Sequence, residues 1–316
     1  MINIQKVVKL LEDNDNILII CHKHPDGDTL GSGFGLYYAL TKIGKTAKVI
    51  CSDPFPERYS FIYEGYEDKE FEPEFIVSVD LAATELFGEN TAKYADKIDL
   101  CIDHHPSNSM YAKNNYVKIT AATTEIIYEI VSEMEIPFDK QIATAIYTGL
   151  STDTGCFKFS NTTSSTHIIA ADMMDAGADY AMINRLMFDT KSVARIMVER
   201  DVYNSIEYFF GGRCALCVIS RDLMEKSGAD EYEIEGISAL PRQIEGVEIG
   251  VTLRENKTGG YRVSIRTSEP IDASKVAGLL GGGGHSRAAG CTVEGSLDDA
   301  KTVIVEKIGE VIEVKS

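Results

Sequence analysis

No apolar run in this 316-residue sequence approaches the roughly 20 residues that a membrane-spanning helix requires. The N-terminus MINIQKVVKLLEDND also lacks the basic, apolar and small-residue succession of a secretory leader. Both absences point to the cytoplasm and away from a membrane partner. An excess of positive charge is missing too: 31 Lys and Arg stand against 49 Asp and Glu, a formal charge of −18. Avid binding of long nucleic acid needs a cationic track along the phosphates, so that class of partner is excluded. A small anionic substrate, held locally by metal ions and a few arginines, is not. No internal repeat or low-complexity tract occurs. The 7 cysteines are scattered through apolar segments, which fits a reducing compartment rather than a disulfide framework. Cys214 and Cys217 fall in a strand-like run. Residues three apart on a strand face opposite sides, so the pair reads as buried strand cysteines rather than a zinc or redox site.

What is present divides into two grammars. The first half alternates short apolar strands (NILIICH, KTAKVICS, EFIVSVD, KIDLCID) with amphipathic helical segments such as 30–41 and 123–133, the pattern of a mainly parallel sheet covered on both faces. Further on, 192–205 reads as a connecting helix, and paired strands surround Gly211-Gly212 and Gly259-Gly260. The expected fold is α/β. A mainly parallel sheet flanked by helices spans 1–188, a connecting helix spans 189–206, and a smaller α+β domain spans 207–316.

Three of the four first-half strands run directly into polar residues: His22, Asp26 and Asp28; then Asp80; then Asp103, His104 and His105. Ligand sites of open parallel sheets form beyond the carboxyl ends of the strands. His22, Asp26 and Asp28 supply one imidazole and two carboxylates from a single turn. Carboxylates suit Mg²⁺ and Mn²⁺, and imidazole moves the preference towards Mn²⁺ or Co²⁺. Carboxylates two residues apart hardly chelate one ion together, but they can serve two neighbouring ions. The bland alternative is an Asx-rich turn with Asp28 capping a helix that starts near Thr29. It accounts neither for His22 nor for the other strand ends. IDHHP is sharper, because three consecutive ionisable side chains after a buried strand are costly unless a metal or substrate compensates them. Of the 6 histidines, His22, His24, His104, His105 and His285 fall in three short motifs, leaving His167 apart on what reads as a helix surface.

HKHPDGD, VSVD, DHH and STDTG, in that order, resemble the four motifs of DHH phosphoesterases, and GGGGHSRAAG resembles the glycine-histidine motif of their associated C-terminal domain. Within the superfamily the chain is most similar to the bifunctional oligoribonuclease and 3′-phosphoadenosine 5′-phosphate phosphatase group. The resemblance implies that His22 and Asp26 bind one Mn²⁺ while Asp28, His104 and Asp153 bind a second, Mg²⁺ or Co²⁺ being the alternatives. Asp80 would bridge both ions, and His105 would face the scissile phosphate as a cationic or acid partner. His24 departs from the ligand spacing and would shape the loop or meet substrate.

It further implies an active site in the cleft between the domains and hydroxide attack assisted by two metals. Short oligoribonucleotides would yield mononucleotides, and nucleotide bisphosphates such as 3′-phosphoadenosine 5′-phosphate would lose a phosphate. The C-terminal domain would recognise a second phosphate through backbone amides of Gly282, Gly283 and Gly284, with His285 nearby. Arg266 and Arg287 are the natural guanidinium forks. Phe157 and Phe159 offer faces for a base, and Lys158 a phosphate contact. Two alternatives stay open: a phosphodiesterase for cyclic dinucleotides or linear pApA, and a non-catalytic nucleotide-sensing module. A homodimer is a further open expectation.

Overall fold

In a computed structural model that describes residues 1–229, 234 and 236–312, the chain divides into two units, Met1–Thr190 and Lys191–Ser316. The first is built on five parallel strands: β1 (Ile17–Ile20), β2 (Ala47–Ile50), β3 (Phe75–Val79), β4 (Leu100–Asp103) and β5 (Asn114–Val117), in the order β2-β1-β3-β4-β5. β1 and β3 are buried along their whole length, as apolar strands covered on both faces should be. On one face Ile17, Ile19, Val77 and Ile102 pack with Leu30, Phe34, Ile126 and Ile146; on the other Leu18, Ile20 and Ile76 pack with Phe87 and Ile98. β2 and β3 leave β1 on opposite sides, so the strand order reverses at β1, where open sheets of this kind bind ligands.

β5, sequence NNYV, is absent from the sequence expectation. It is a polar edge strand with no apolar alternation to betray it. The opposite edge is closed by a side chain, since the Tyr66 hydroxyl accepts from the Val49 N–H and donates to the Val49 carbonyl.

The helices of this unit begin with α1 (Ile4–Asp13), α2 (Gly27–Lys42), α3 (Thr123–Glu133) and α4 (Lys140–Asp153), followed by α5 (Ser164–Asp175) and α6 (Tyr180–Asn184). The α2 cap is Asp26, whose carboxylate accepts from the N–H groups of Asp28 and Thr29. Asp28 therefore does not cap a helix beginning near Thr29; it lies inside the first turn, with its carboxylate turned inward. α2 meets α4 at backbone distance: a Cβ on Gly31 would lie 2.4 Å from the Ala145 carbonyl oxygen.

The second unit contains α7 (Val193–Asn204), β6 (Glu207–Phe209), β7 (Cys214–Ile219), α8 (Arg221–Ser227), β8 (Ile249–Glu255) and β9 (Tyr261–Thr267). α9 (Ala273–Leu279), β10 (Gly283–His285), β11 (Ala288–Val293) and α10 (Leu297–Ile312) complete it. Its mixed sheet has the order β10-β11-β9-β8-β7-β6, with only β7 and β8 parallel among these pairs. The turns joining β6 to β7 and β8 to β9 run through Gly211-Gly212 and Gly259-Gly260, all four at positive φ, as the hairpin signals required. Ile249, Val251, Val263 and Ile265 pack on Val276 and Ile304 of α9 and α10, while Cys217 and Ile219 face Val198 and Val202 of α7.

Candidate metal centre and phosphate groove

Three consecutive strands of the first sheet, β1, β3 and β4, deliver their following residues to one rim. His22 follows β1 and holds its ring by placing Nδ1 2.7 Å from the Lys23 carbonyl oxygen. His104 follows β4 and does the same with the Thr120 carbonyl, at 3.1 Å. A ring nitrogen against a carbonyl must carry the proton, so in each neutral ring Nε2 presents its lone pair. His22 Nε2 lies 3.6 Å from Asp26 and 3.5 Å from Asp80. His104 Nε2 lies 3.6 Å from Asp80, 3.7 Å from Asp153 and 4.0 Å from Asp28. Asp80 turns Oδ2 to His22 and Oδ1 to His104, and it holds a left-handed backbone, φ 56°. Such a conformation in a non-glycine residue is costly and is typical of functional sites.

The carboxylates are anchored from behind. Asp28, buried, accepts from the Thr123 and Thr124 N–H groups at 2.6 and 3.0 Å and from the Thr124 hydroxyl at 2.9 Å, all at the start of α3. The Thr123 hydroxyl donates to Asp80 at 2.8 Å. These two threonines are absent from the sequence reading, and only their position at a helix start hinted at them. Gly149 of α4 leaves the space: a Cβ there would sit 2.7 Å from Asp28 Oδ1.

Electrostatically the centre is short of positive charge. Burial and then the charges of Asp80, Asp153 and Asp26 push the Asp28 carboxyl well above its ordinary range. Asp153 rises to about 6, chiefly through burial. Burial opposes protonation of His22, yet Asp26 and Asp80 overcome it and lift the imidazole to about 11. Among the described residues no Lys or Arg pairs with Asp26, Asp28, Asp80 or Asp153. Mutually repelling carboxylates beside imidazoles whose Nε2 can exchange its proton for a metal are a donor set for divalent cations. Three overlapping groups satisfy the spacing, each with ligand atoms within 4.8 Å of one another: His22, Asp26 and Asp80; Asp28, His104 and Asp153; and Asp80, His104 and His105.

His105 is held differently. Its Nδ1 is 2.8 Å from Asp103 Oδ1 and 3.7 Å from Asp80, and the Asp103 hydrogen bond raises it to about 8. His24 turns away from the centre altogether, to Asp53 at 3.0 Å, and its side chain is 73% exposed. Phe157 is half-buried, edge-on to Tyr147 and stacked on His167, which is exposed on α5. Lys158 lies over the Phe188 ring. Of the two phenylalanines Phe159 is the more exposed, at 58%, with the tip of its ring against Gly155.

In the second unit a groove of about 650 Å³ lies on the sheet face carrying Arg262, Ser264 and Arg266, beside Gly281, Gly283, Gly284 and Thr292. Arg266 has no acidic partner among the described residues. Burial lowers its pKa, so an anion there is favoured. Arg287 does not line this groove; its guanidinium is taken up by the Ile271 carbonyl at 2.8 Å and by Glu269 at 3.4 Å. His285 is exposed on β10. The glycines also have a packing reason, since a Cβ on Gly282 would lie 2.2 Å from the Gly290 carbonyl oxygen. Arg262 is not among the sequence's candidates, although Arg-x-Ser-x-Arg at strand period 2 puts it on the same face of β9 as Arg266.

Comparison with known proteins identifies the family. Residues 16–150 match the DHH family, N-terminal domain, and residues 213–313 the DHHA1 domain. The chain is 32% identical over 314 residues, 97% of its length and 93% of the relative's, to the bifunctional oligoribonuclease and PAP phosphatase NrnA of Thermus thermophilus. It is 24% identical to the Bacillus subtilis protein of the same name, over 95% and 96% of the two chains. Among solved structures it resembles an exopolyphosphatase-related protein from Bacteroides fragilis, with TM-score 0.85 and 25% identity over 98% and 97% of the chains. Motifs at the rim, the two sheets and the near full-length relatives converge: the chain belongs to the DHH family of phosphoesterases and carries a DHHA1 domain.

Proposed function

We propose that this phosphoesterase depends on two divalent cations, Mn²⁺ by preference, and acts in the cytoplasm. Its substrates are short oligoribonucleotides, cut to mononucleotides, and 3′-phosphoadenosine 5′-phosphate, which it dephosphorylates. The observation that carries the reading is the division of Asp80, one oxygen towards His22 and the other towards His104. His22 and Asp26 would hold one ion, Asp28, His104 and Asp153 the other, with Asp80 common to both. When bound, such a pair supplies Lewis acidity towards phosphoryl oxygens and lowers the pKa of a water. The chain's own part is orientation. Lys23 and Thr120 carbonyls fix the two imidazoles, and the α3 amides and Thr124 hold Asp28. Asp103 holds His105 by Nδ1, which would leave Nε2 to meet a leaving oxygen. The names of the relatives support the substrate class, and the Arg262–Arg266 groove supports recognition of a second phosphate.

A turnover panel tests this. Purified protein with Mn²⁺ is given RNA dinucleotides to pentanucleotides, 3′-phosphoadenosine 5′-phosphate, pApA and a cyclic dinucleotide, with Asp80→Ala as control. Mononucleotide release from the short RNAs and phosphate release from the bisphosphate are expected, and loss of about 10³-fold or more in the variant. Turnover restricted to pApA or the cyclic dinucleotide would replace the substrate assignment. Tight nucleotide binding without any turnover would make the protein a sensor.

A further inference from the structure

Asn108, five residues after Asp103, is used completely. Its Oδ1 accepts from the Met110 N–H at 2.7 Å, which fixes which way the amide faces. Its Nδ2 therefore points to Asp103 Oδ2, at 2.7 Å. The other Asp103 oxygen lies 2.8 Å from His105 Nδ1. Asp103 itself is fully buried. A buried carboxylate free to rotate about its last bond would offer His105 either oxygen or neither. With one oxygen tied to Asn108, the other has a single direction left. The Asn108 backbone N–H donates to the His105 carbonyl at 3.2 Å, closing the turn that joins the three residues. Among the described residues His105 Nε2 has no hydrogen-bond partner, while its side chain is 42% exposed.

We infer that Asn108 is a positioning residue for phosphoester cleavage: acting through Asp103, it holds His105 so that Nε2 donates a proton to the departing oxygen. The inference rests on the proposed hydrolytic role of His105. In the step assigned to it, the phosphorus–oxygen bond to the leaving group breaks and its electron pair takes the proton from Nε2. A nucleoside hydroxyl departs, and Nδ1 keeps its hydrogen on Asp103. Water supplies the oxygen that replaces the leaving group and the proton that afterwards returns to Nε2.

The distinguishing readout is the leaving group. An alkoxide needs a proton as it departs, whereas p-nitrophenolate departs without one. Asn108→Ala and His105→Ala, singly and together, are assayed with Mn²⁺ on an RNA dinucleotide and on a p-nitrophenyl nucleotide ester. Asn108→Ala is expected to lower kcat on the dinucleotide about 10–100-fold with KM little changed, and to lose far less on the activated ester. In the His105→Ala background it should cost nothing further. Melting curves of each variant check folding. Equal losses on both substrates, or losses that multiply in the double variant, would make Asn108 a turn-forming residue only. Should Asn108→Ala fail to fold, Asn108→Ser, whose short hydroxyl does not reach Asp103, carries the same leaving-group test, with the same two results deciding it. No turnover of either ester by the unaltered protein would instead defeat the hydrolytic reading itself.

Discussion

Thr124 gives Asp28 two of its three donors, a backbone N–H and a hydroxyl. The hydroxyl is removable without touching the helix start, because Val keeps the shape and the backbone N–H. Thr124→Val should weaken divalent-cation binding about 10–100-fold, the usual cost of losing a group that orients a ligand. Stability should fall by only about 1 kcal/mol, one hydrogen bond's worth. Titration calorimetry with Mn²⁺ beside urea denaturation separates the two effects. An unchanged Mn²⁺ affinity would show that the α3 amides alone hold Asp28. The acids and imidazoles at this site were legible in the sequence because ionisable residues clustered after buried strands have no cheap explanation. The threonines were not legible, because a threonine near a helix start looks the same whether it caps, packs or steers a carboxylate. Asp103 stands in its motif with no task that residue type alone makes legible. Its role depends on Asn108 and His105 meeting it across a turn, a fact of geometry rather than of residue type.

Elements carry the site by approaching closely. α2 brings Asp28 and α4 brings Asp153, and the two helices touch through glycines. A Cβ on Gly149 would lie 2.4 Å from Thr124 Cγ2 and 2.7 Å from Asp28 Oδ1. Both neighbours are fully buried or nearly so, so neither can simply swing away. Gly149→Ala should therefore cost about 1–3 kcal/mol, as overpacking does, and displace the carboxylate as well. Lowered urea midpoint together with lowered Mn²⁺ affinity is the expected pair. Loss of stability with intact Mn²⁺ binding would mean that the helices separate while the site follows. At this scale the sequence was most readable where burial imposes a pattern: β1, β3 and β4 were evident as apolar runs, and the glycine pairs marked both hairpins. It was least readable at exposed edges. β5 is polar, and the glycine cluster reads equally as a loop or as a strand; its end, 283–285, forms the edge strand β10. Glycine tolerates both states equally, so composition could not choose between them.

At the scale of the whole chain the two units hold separate cores and separate chemistry. Leu30, Phe34, Ile126 and Ile146 belong to the first core, Val251, Val263, Val276 and Ile304 to the second. Among the described residues every candidate metal ligand lies within Met1–Thr190, whereas the arginine-lined groove lies within Lys191–Ser316. A ligand that binds only the folded form stabilises whatever unit holds it, by about 2.7 kcal/mol at a hundredfold excess over Kd. For a unit of this size that corresponds to roughly 5–10 °C in Tm for each ion bound. Calorimetric melting in chelator and then in Mn²⁺ should therefore raise the transition of the first unit and leave that of the second in place. Asp80→Ala, which removes the carboxylate common to both groups of ligands, should abolish most of the rise. A rise confined to the second unit's transition, or none in either, would put the metal somewhere other than the rim of the parallel sheet.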